Sequence, residues 1–217
     1  SVEWRRAHRD AISGRVLPVD LNLTGFARSM HPEATQHTSR TRRMSDALLV
    51  VDVQLASFAP FPPAHEVDQL LTRVRQLVET ARAHSVPVLF VQHCGGKGDP
   101  DEPETPGHPI HPDLAPEEGD VIVQKRSPVS FQDTLLHTEL QDRAVTSLTI
   151  CGMQTEYCID TTTRRAYSLG YKVRLVSDGH STWDGEPLSA SQKIEHHNQV
   201  LGGWFAELVS AEAVNFT

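Results

Sequence analysis

The chain has 217 residues, which is enough for one domain with a sizeable hydrophobic core and somewhat few for two. Its formal net charge of -8 argues against a nucleic-acid partner, because phosphate binding requires a basic surface. Three cysteines are too few for a disulfide framework or a four-cysteine zinc site, and no apolar run approaches the roughly 20 residues that span a bilayer. We therefore expect reduced thiols, a cytoplasmic location and no membrane partner.

The first 43 residues differ in composition from the rest. They hold eight arginines and four acidic residues, a balance of +4, which leaves -12 for residues 44–217. They show no sustained periodicity, and a targeting segment, although Arg-rich, would need an apolar signal core that is absent here. We interpret 1–43 as an N-terminal extension outside the catalytic core, and expect the core domain to span 44–217.

From residue 44 onward, predicted strands and helices alternate. Apolar runs predict strands, and apolar residues at helical spacing predict helices. The predicted strands are 47–53, 86–92, 121–125, 146–151, 171–177 and 207–211, and the predicted helices are 66–84, 133–142, 156–169 and 190–205. A Gly- and Pro-rich loop, 94–119, is of a length that usually has a function. This alternation predicts an α/β fold with a parallel sheet and helices on both faces.

Three polar residues are expected near the carboxyl ends of these strands, where open parallel sheets bind their ligands. Asp52 lies near the end of the first strand, Lys125 ends the third, and Cys158 lies in the first turn of the helix after the fourth. Helix N-terminal amides and a nearby ammonium would favour the thiolate form of Cys158. Each residue also has a simpler interpretation: the carboxylate could accept loop backbone hydrogens, the lysine could reach solvent, and the thiol could be a small core residue.

The remaining thiols and two histidine pairs are interpreted as structural. Cys151 lies within an apolar strand, Cys94 enters a Gly-Gly loop, and neither has an obvious base. Neither histidine pair has the i, i+4 spacing of helical metal ligands. The pairs are His108 with His111, and His196 with His197.

Several motifs match one family in order and spacing. They are LLVVDVQ (48–54), TPGHPIHPDL (105–114), VIVQK (121–125) followed by Ser130-Phe131, CGMQTEYCIDTT (151–162), Gly170-Tyr171 and Val176-Ser177-Asp178. Through these motifs the chain from about Met44 to its C-terminus resembles the isochorismatase-like cysteine hydrolases. That superfamily includes nicotinamidases and N-carbamoylsarcosine amidase.

The resemblance implies a three-layer α/β/α Rossmann-like fold whose sheet has about six mainly parallel strands. It implies a catalytic triad of Asp52, Lys125 and Cys158. It also implies a cis peptide bond between Met153 and Gln154, and an oxyanion hole formed by the amides of Gln154 and Cys158. Because members of the family commonly associate, we expect a homo-oligomer, a dimer or larger.

These residues predict a hydrolase of C–N bonds that cleaves a small amide, ureide or carbamoyl substrate through a thioester on Cys158. Nicotinamidases carry an Asp-x-His metal pattern after the second strand, where this chain has Val91-Gln92-His93, so we expect no metal and no other cofactor. The alternatives are an isochorismatase-type enol-ether hydrolase, which the cysteine disfavours, and a non-catalytic binding protein on the same fold, which the intact triad disfavours.

The sequence does not identify the small-molecule substrate. Six residues are candidates for the walls of its pocket, although each could equally serve packing. They are Gln54, Phe58, His93, Phe131, Tyr157 and Trp183.

Overall fold

The structure is a computed structural model that describes residues 45–216. The predicted extension, 1–43, lies outside the described residues, as does Met44. None of the helices within the described part of the chain is long and apolar enough to cross a membrane.

The described residues form one six-stranded sheet flanked by helices. Its strands are β1 (Asp46–Val51), β2 (Val88–His93), β3 (Val121–Lys125), β4 (Ser147–Met153), β5 (Lys172–Ser181) and β6 (Glu207–Val209). The helices are α1 (Val67–Ala83), α2 (Leu136–Asp142), α3 (Asp160–Ser168) and α4 (Ala190–Trp204). Every strand pairing is parallel, in the order β3-β2-β1-β4-β5-β6. The predicted α/β fold with a parallel sheet is therefore confirmed.

Two hydrophobic cores lie on the two faces of the sheet. On one face, α1 packs its buried stripe against alternate β1 residues such as Leu48 and Val50, and against Phe216 near the C-terminus. On the other face, β1 residues such as Leu49 contact a second core that includes residues of α2, α3 and α4. Because both faces of β1 are covered, its sequence is a continuous apolar run rather than an alternating one.

The fifth strand differs most from its predicted extent, because it reaches Ser181 instead of residue 177. Ile150 of β4 pairs with Leu175, but Gly152 pairs with His180, so β5 contains a bulge of three extra residues. Gly179 allows this bulge, since a Cβ there would lie 2.6 Å from a methyl carbon of Val176. After the bulge, β5 pairs with β4 again and directs the following residues toward the end of β4.

Candidate active site

The strand order reverses between β1 and β4, so a crevice opens at their carboxyl ends. Asp52 follows β1 directly and has a left-handed backbone conformation, with φ of 52°. Its amide donates to the carbonyl of Val91 on β2, and this hydrogen bond fixes Asp52 one residue beyond the last pair of β1 and β2. An Asp tolerates this conformation better than most residues do, and here the carboxylate is buried in the crevice.

Lys125, the last residue of β3, is completely buried and extends its ammonium into the same crevice. Its Nζ lies 2.6 Å from Asp52 Oδ2, 3.1 Å from Cys158 Sγ and 3.3 Å from His93 Nδ1. An ammonium donates hydrogen bonds and accepts none, so His93 Nδ1 is the acceptor in its contact with Lys125.

Cys158 lies on a π-helical turn, Thr155–Ile159, that joins β4 to α3. We predicted an ordinary helix from residue 156; the wider turn, closed by the Ile159 amide on the carbonyl of Gln154, replaces its first part. The peptide bond between Met153 and Gln154 is cis. Just before it, Gly152 has φ of 123°, and a Cβ there would lie 2.0 Å from the carbonyl oxygen of Val51, so only glycine fits.

Burial governs the protonation of the three central groups. Burial raises the pKa of Asp52, and the nearby Lys125 only partly offsets that effect. Burial alone would lower the pKa of Lys125, but Asp52 and Cys158 raise it above its usual value, so the lysine keeps its charge. Burial and the adjacent carboxylate raise the pKa of Cys158 to about 12. Both raised pKa values favour a neutral thiol beside a protonatable carboxylate, whereas the helix N-terminal amides and the ammonium were expected to favour the thiolate.

The turn that carries Cys158 is anchored to α4. Thr155 is fully buried, and its hydroxyl lies 2.9 Å from His180 Nδ1, while His180 Nε2 lies 3.0 Å from Asn198 Oδ1. This chain of side chains links the turn through the end of β5 to the helix behind it.

A second network holds the loop after β5. Lys193 of α4 donates to the Glu156 carboxylate and to the backbone carbonyl of Trp183, each at 2.9 Å. The side-chain amide of Gln154 donates to Glu156 at 3.1 Å and to the hydroxyl of Thr182 at 3.0 Å. Since the ion pair is mostly buried, it fixes the Trp183 backbone relative to the Cys158 turn.

Gln54 holds the long loop in place. Its Nε2 donates to the carbonyls of His93 and His108, at 2.9 and 2.7 Å, and its Oε1 accepts the His93 amide at 2.7 Å. Backbone hydrogen bonds between 53–56 and 107–111 extend this contact. The Gln54 amide thus has its partners within the protein, and its role is to position the loop and His93.

A cavity of about 300 Å³ opens beside these groups. It contains both Asp52 and Cys158, together with Gln154, and four of the six predicted wall residues contribute to it. Those four are Gln54, His93, Tyr157 and Trp183. The predictions did not include Asp101, on the long loop, which also lines the cavity. An acidic residue in an irregular loop carries no periodic signal, so only its proximity to the Gly95-Gly96 turn could have suggested it.

The other two predicted wall residues, Phe58 and Phe131, are not among the residues that line this cavity. Phe58 is buried in the core beneath α1 and packs against the His111 ring, with centroids 4.4 Å apart. Phe131 stacks on Tyr171 at 6.1 Å, while the neighbouring Ser130 hydroxyl bonds to Thr162 at 2.8 Å. Both phenylalanines bury apolar area against helices, which corrects their assignment to the pocket.

The remaining cysteines are both buried. Cys151 contacts little besides apolar side chains and the carbonyl of Leu49, and burial raises its pKa to about 12. Cys94 lies 3.4 Å from His108 Nε2, so the view that no base lies near it was wrong, but burial raises its pKa as well. Within residues 45–216, no group of three or more His, Cys, Asp or Glu side chains is arranged to hold a metal ion.

Comparisons with known proteins agree with this geometry. The isochorismatase domain model matches residues 46–204. A streptothricin hydrolase from Streptomyces noursei is 37% identical over 69% of the chain, but the match spans only 60% of that protein. A ureidoacrylate amidohydrolase from Stutzerimonas stutzeri is 24% identical over 86% of the chain and 91% of its own length.

A solved structure from Oleispira antarctica, assigned as an isochorismatase hydrolase, superposes with a TM-score of 0.75. It is 31% identical, and the alignment covers 78% of this chain and 95% of that one. The family model covers well over half of the chain, including every element that carries the site. The chain therefore belongs to the isochorismatase family of hydrolases.

Proposed function

We propose that the protein is a cysteine hydrolase that cleaves a C–N bond of a small amide, ureide or carbamoyl compound, with Asp52, Lys125 and Cys158 as its catalytic residues. The observation that carries this proposal is the contact of one buried ammonium with both the Asp52 carboxylate, at 2.6 Å, and the Cys158 sulfur, at 3.1 Å. A base, a nucleophile and a fixed positive charge thus share one crevice.

In the first half of the reaction, Cys158 Sγ attacks the substrate carbonyl carbon while its proton passes to Asp52. The raised pKa of Asp52 suits this transfer, because it makes the carboxylate a stronger base than usual. The raised pKa of Cys158 keeps the thiol protonated until Asp52 accepts the proton during the attack. We assign the developing oxyanion to the backbone amides of Gln154 and Cys158. Asp52 then gives the proton to the nitrogen, the C–N bond breaks, and ammonia or an amine leaves.

In the second half, the thioester on Cys158 is hydrolysed. Asp52 takes a proton from water as the water oxygen attacks the thioester carbonyl, the C–S bond breaks, and the proton returns to the departing sulfur. Lys125 does not give up its proton in this scheme. Its charge stabilises the ionised Asp52 and the sulfur as negative charge moves between them, which agrees with its raised pKa.

The names of two relatives support a hydrolytic reaction, and one of the two names also supports cleavage of a C–N bond. One relative is a streptothricin hydrolase and another is a ureidoacrylate amidohydrolase. Enol-ether hydrolysis would need no thiol, so a cysteine held against a base and an ammonium favours acyl transfer.

Ammonia release from a panel of small primary amides and ureides tests the proposal. We expect release from at least one member by the native chain and none by Cys158→Ala. Pyruvate formed from isochorismate by both proteins, with no ammonia from the panel, would contradict it.

A further inference from the structure

One carboxylate that lines the cavity beside Cys158 forms no ion pair with any residue in the described part of the chain. The charge of Asp52 is balanced by Lys125, and behind the wall Glu156 is balanced by Lys193. Asp101 also lines the cavity but forms no ion pair within residues 45–216, and none of the described lining residues is a lysine or arginine. Among residues 45–216, the cavity therefore has one carboxylate that no cation contacts in an ion pair.

The backbone that carries this carboxylate is held in place. The Gly95 amide donates to the Asp101 backbone carbonyl at 3.1 Å, which closes the loop on itself just after β2. A Cβ at Gly95 would lie 2.3 Å from Asp101 Oδ1, so the carboxylate packs where only a glycine leaves room for it. Asp101 is only partly exposed.

Two aromatic side chains line the same cavity. Trp183 is held at its indole nitrogen by the carbonyl of Pro62, at 2.9 Å, and at its own carbonyl by Lys193. Tyr157 is 54% exposed, an unusual degree for a large aromatic residue beside a nucleophile. Aromatic faces attract cations, and a carboxylate near them adds to that attraction.

We propose that the substrate of this site carries an ammonium or guanidinium group, bound by Asp101 and the aromatic pair, in addition to the carbonyl that Cys158 attacks. The inference rests on the proposed function and specifies its substrate class. A neutral ligand would leave Asp101 without a partner, and an anionic one would be repelled in a cavity of about 300 Å³.

The first test needs no turnover. The rates at which Cys158 reacts with a cationic and an anionic methanethiosulfonate reagent are compared, with peptide mass mapping to locate the label. The cation-to-anion rate ratio should fall about tenfold in Asp101→Asn, which corresponds to about 1.4 kcal/mol. Glu104→Gln is the matched control, because it removes the same charge from an exposed position of the same loop outside the cavity. Equal ratios in the native chain and Asp101→Asn, or an equal fall in Glu104→Gln, would overturn the proposal.

The second test uses substrates of one shape: 6-aminohexanamide, heptanamide and the monoamide of adipic acid. The native chain should release ammonia from the ammonium compound with a kcat/KM at least tenfold above that for the methyl compound, and Asp101→Asn should reduce that preference. Equal turnover of all three would contradict the substrate class while leaving the hydrolase assignment intact. Absence of ammonia from these and every other amide would contradict the hydrolase assignment, and the labelling ratio would still decide the role of Asp101.

Discussion

The ammonium of Lys125 lies 2.6 Å from the Asp52 carboxylate at a place where the lysine side chain is fully buried. Neither Asp52 oxygen accepts a hydrogen bond of normal angle from the described residues, so this ionic contact is its main compensation. Such a pair costs free energy to desolvate, and removing one member leaves the other charge buried without a partner.

Lys125→Met should therefore destabilise the protein by about 3–5 kcal/mol at neutral pH, besides removing turnover. Without the lysine, the pKa of Asp52 rises further above 3.8, its ordinary value. A raised carboxyl pKa lowers stability as pH rises from the unfolded value through the folded one, so the loss should be smaller near pH 4. Urea unfolding at both pH values measures this.

The double variant Asp52→Asn/Lys125→Met should regain much of the stability that Lys125→Met loses, but no activity. A double variant as unstable as Lys125→Met would contradict the ion-pair account.

The pH dependence of kcat/KM should show an acid limb at a pH above the ordinary carboxyl value. Asp52 must be ionised to accept the thiol proton, and burial raises its pKa, so activity falls as pH drops through that raised value. His93→Gln is the control, since its imidazole is a titratable group in contact with Lys125 besides Asp52 and Cys158. Full activity down to pH 4, or loss of the limb in His93→Gln, would show that another group is the base.

Gln54→Leu should lower the free energy of unfolding by about 2–4 kcal/mol. The change removes the side-chain partner of the His93 amide and of the His93 carbonyl, while the His108 carbonyl still accepts from Gln92. Unsatisfied buried groups cost about 1–3 kcal/mol each. Gln124→Leu on β3, where one side-chain hydrogen bond is lost from an exposed position, should change stability far less. Equal unfolding midpoints for the two variants would show that the loop does not depend on Gln54.

Turnover should survive exhaustive dialysis against EDTA. The Asp-x-His pattern of nicotinamidases is replaced by Val91-Gln92-His93. In addition, His93 Nδ1 contacts the ammonium of Lys125, and this positive charge disfavours a metal cation beside the imidazole. Activity assays and elemental analysis of the dialysed protein measure this. Loss of activity that a divalent cation restores would contradict the prediction.

Much of the sheet could be predicted from local patterns. The strand Val121–Lys125 has its predicted bounds, and α1 begins and ends within one residue of its prediction, because a buried strand and an amphipathic helix each leave a periodic signal. The end of β5 could not be predicted. Its bulge depends on the contact of Gly179 with Val176 and on pairing with β4, which no local pattern encodes.

The candidate site, too, could be predicted from the sequence only in part. Asp52, Lys125 and Cys158 could be proposed because each follows a strand end and matches a family motif, and the structure brings the three together. The residues that line the pocket were harder to predict, since a phenylalanine near a motif residue can face a core or a cavity equally well. Phe131 faces Tyr171 instead of the cavity, and this contact joins segments about 40 residues apart, so no local pattern encodes it.

A thioester between Cys158 and the substrate can be detected by intact and peptide mass spectrometry of enzyme quenched in acid during turnover of an amide. We predict an acyl adduct on Cys158 that hydroxylamine removes, present also in Cys94→Ala and Cys151→Ala, and absent from Cys158→Ala, which should not turn over. Steady turnover with no adduct on Cys158, together with full activity of Cys158→Ala, would contradict the account.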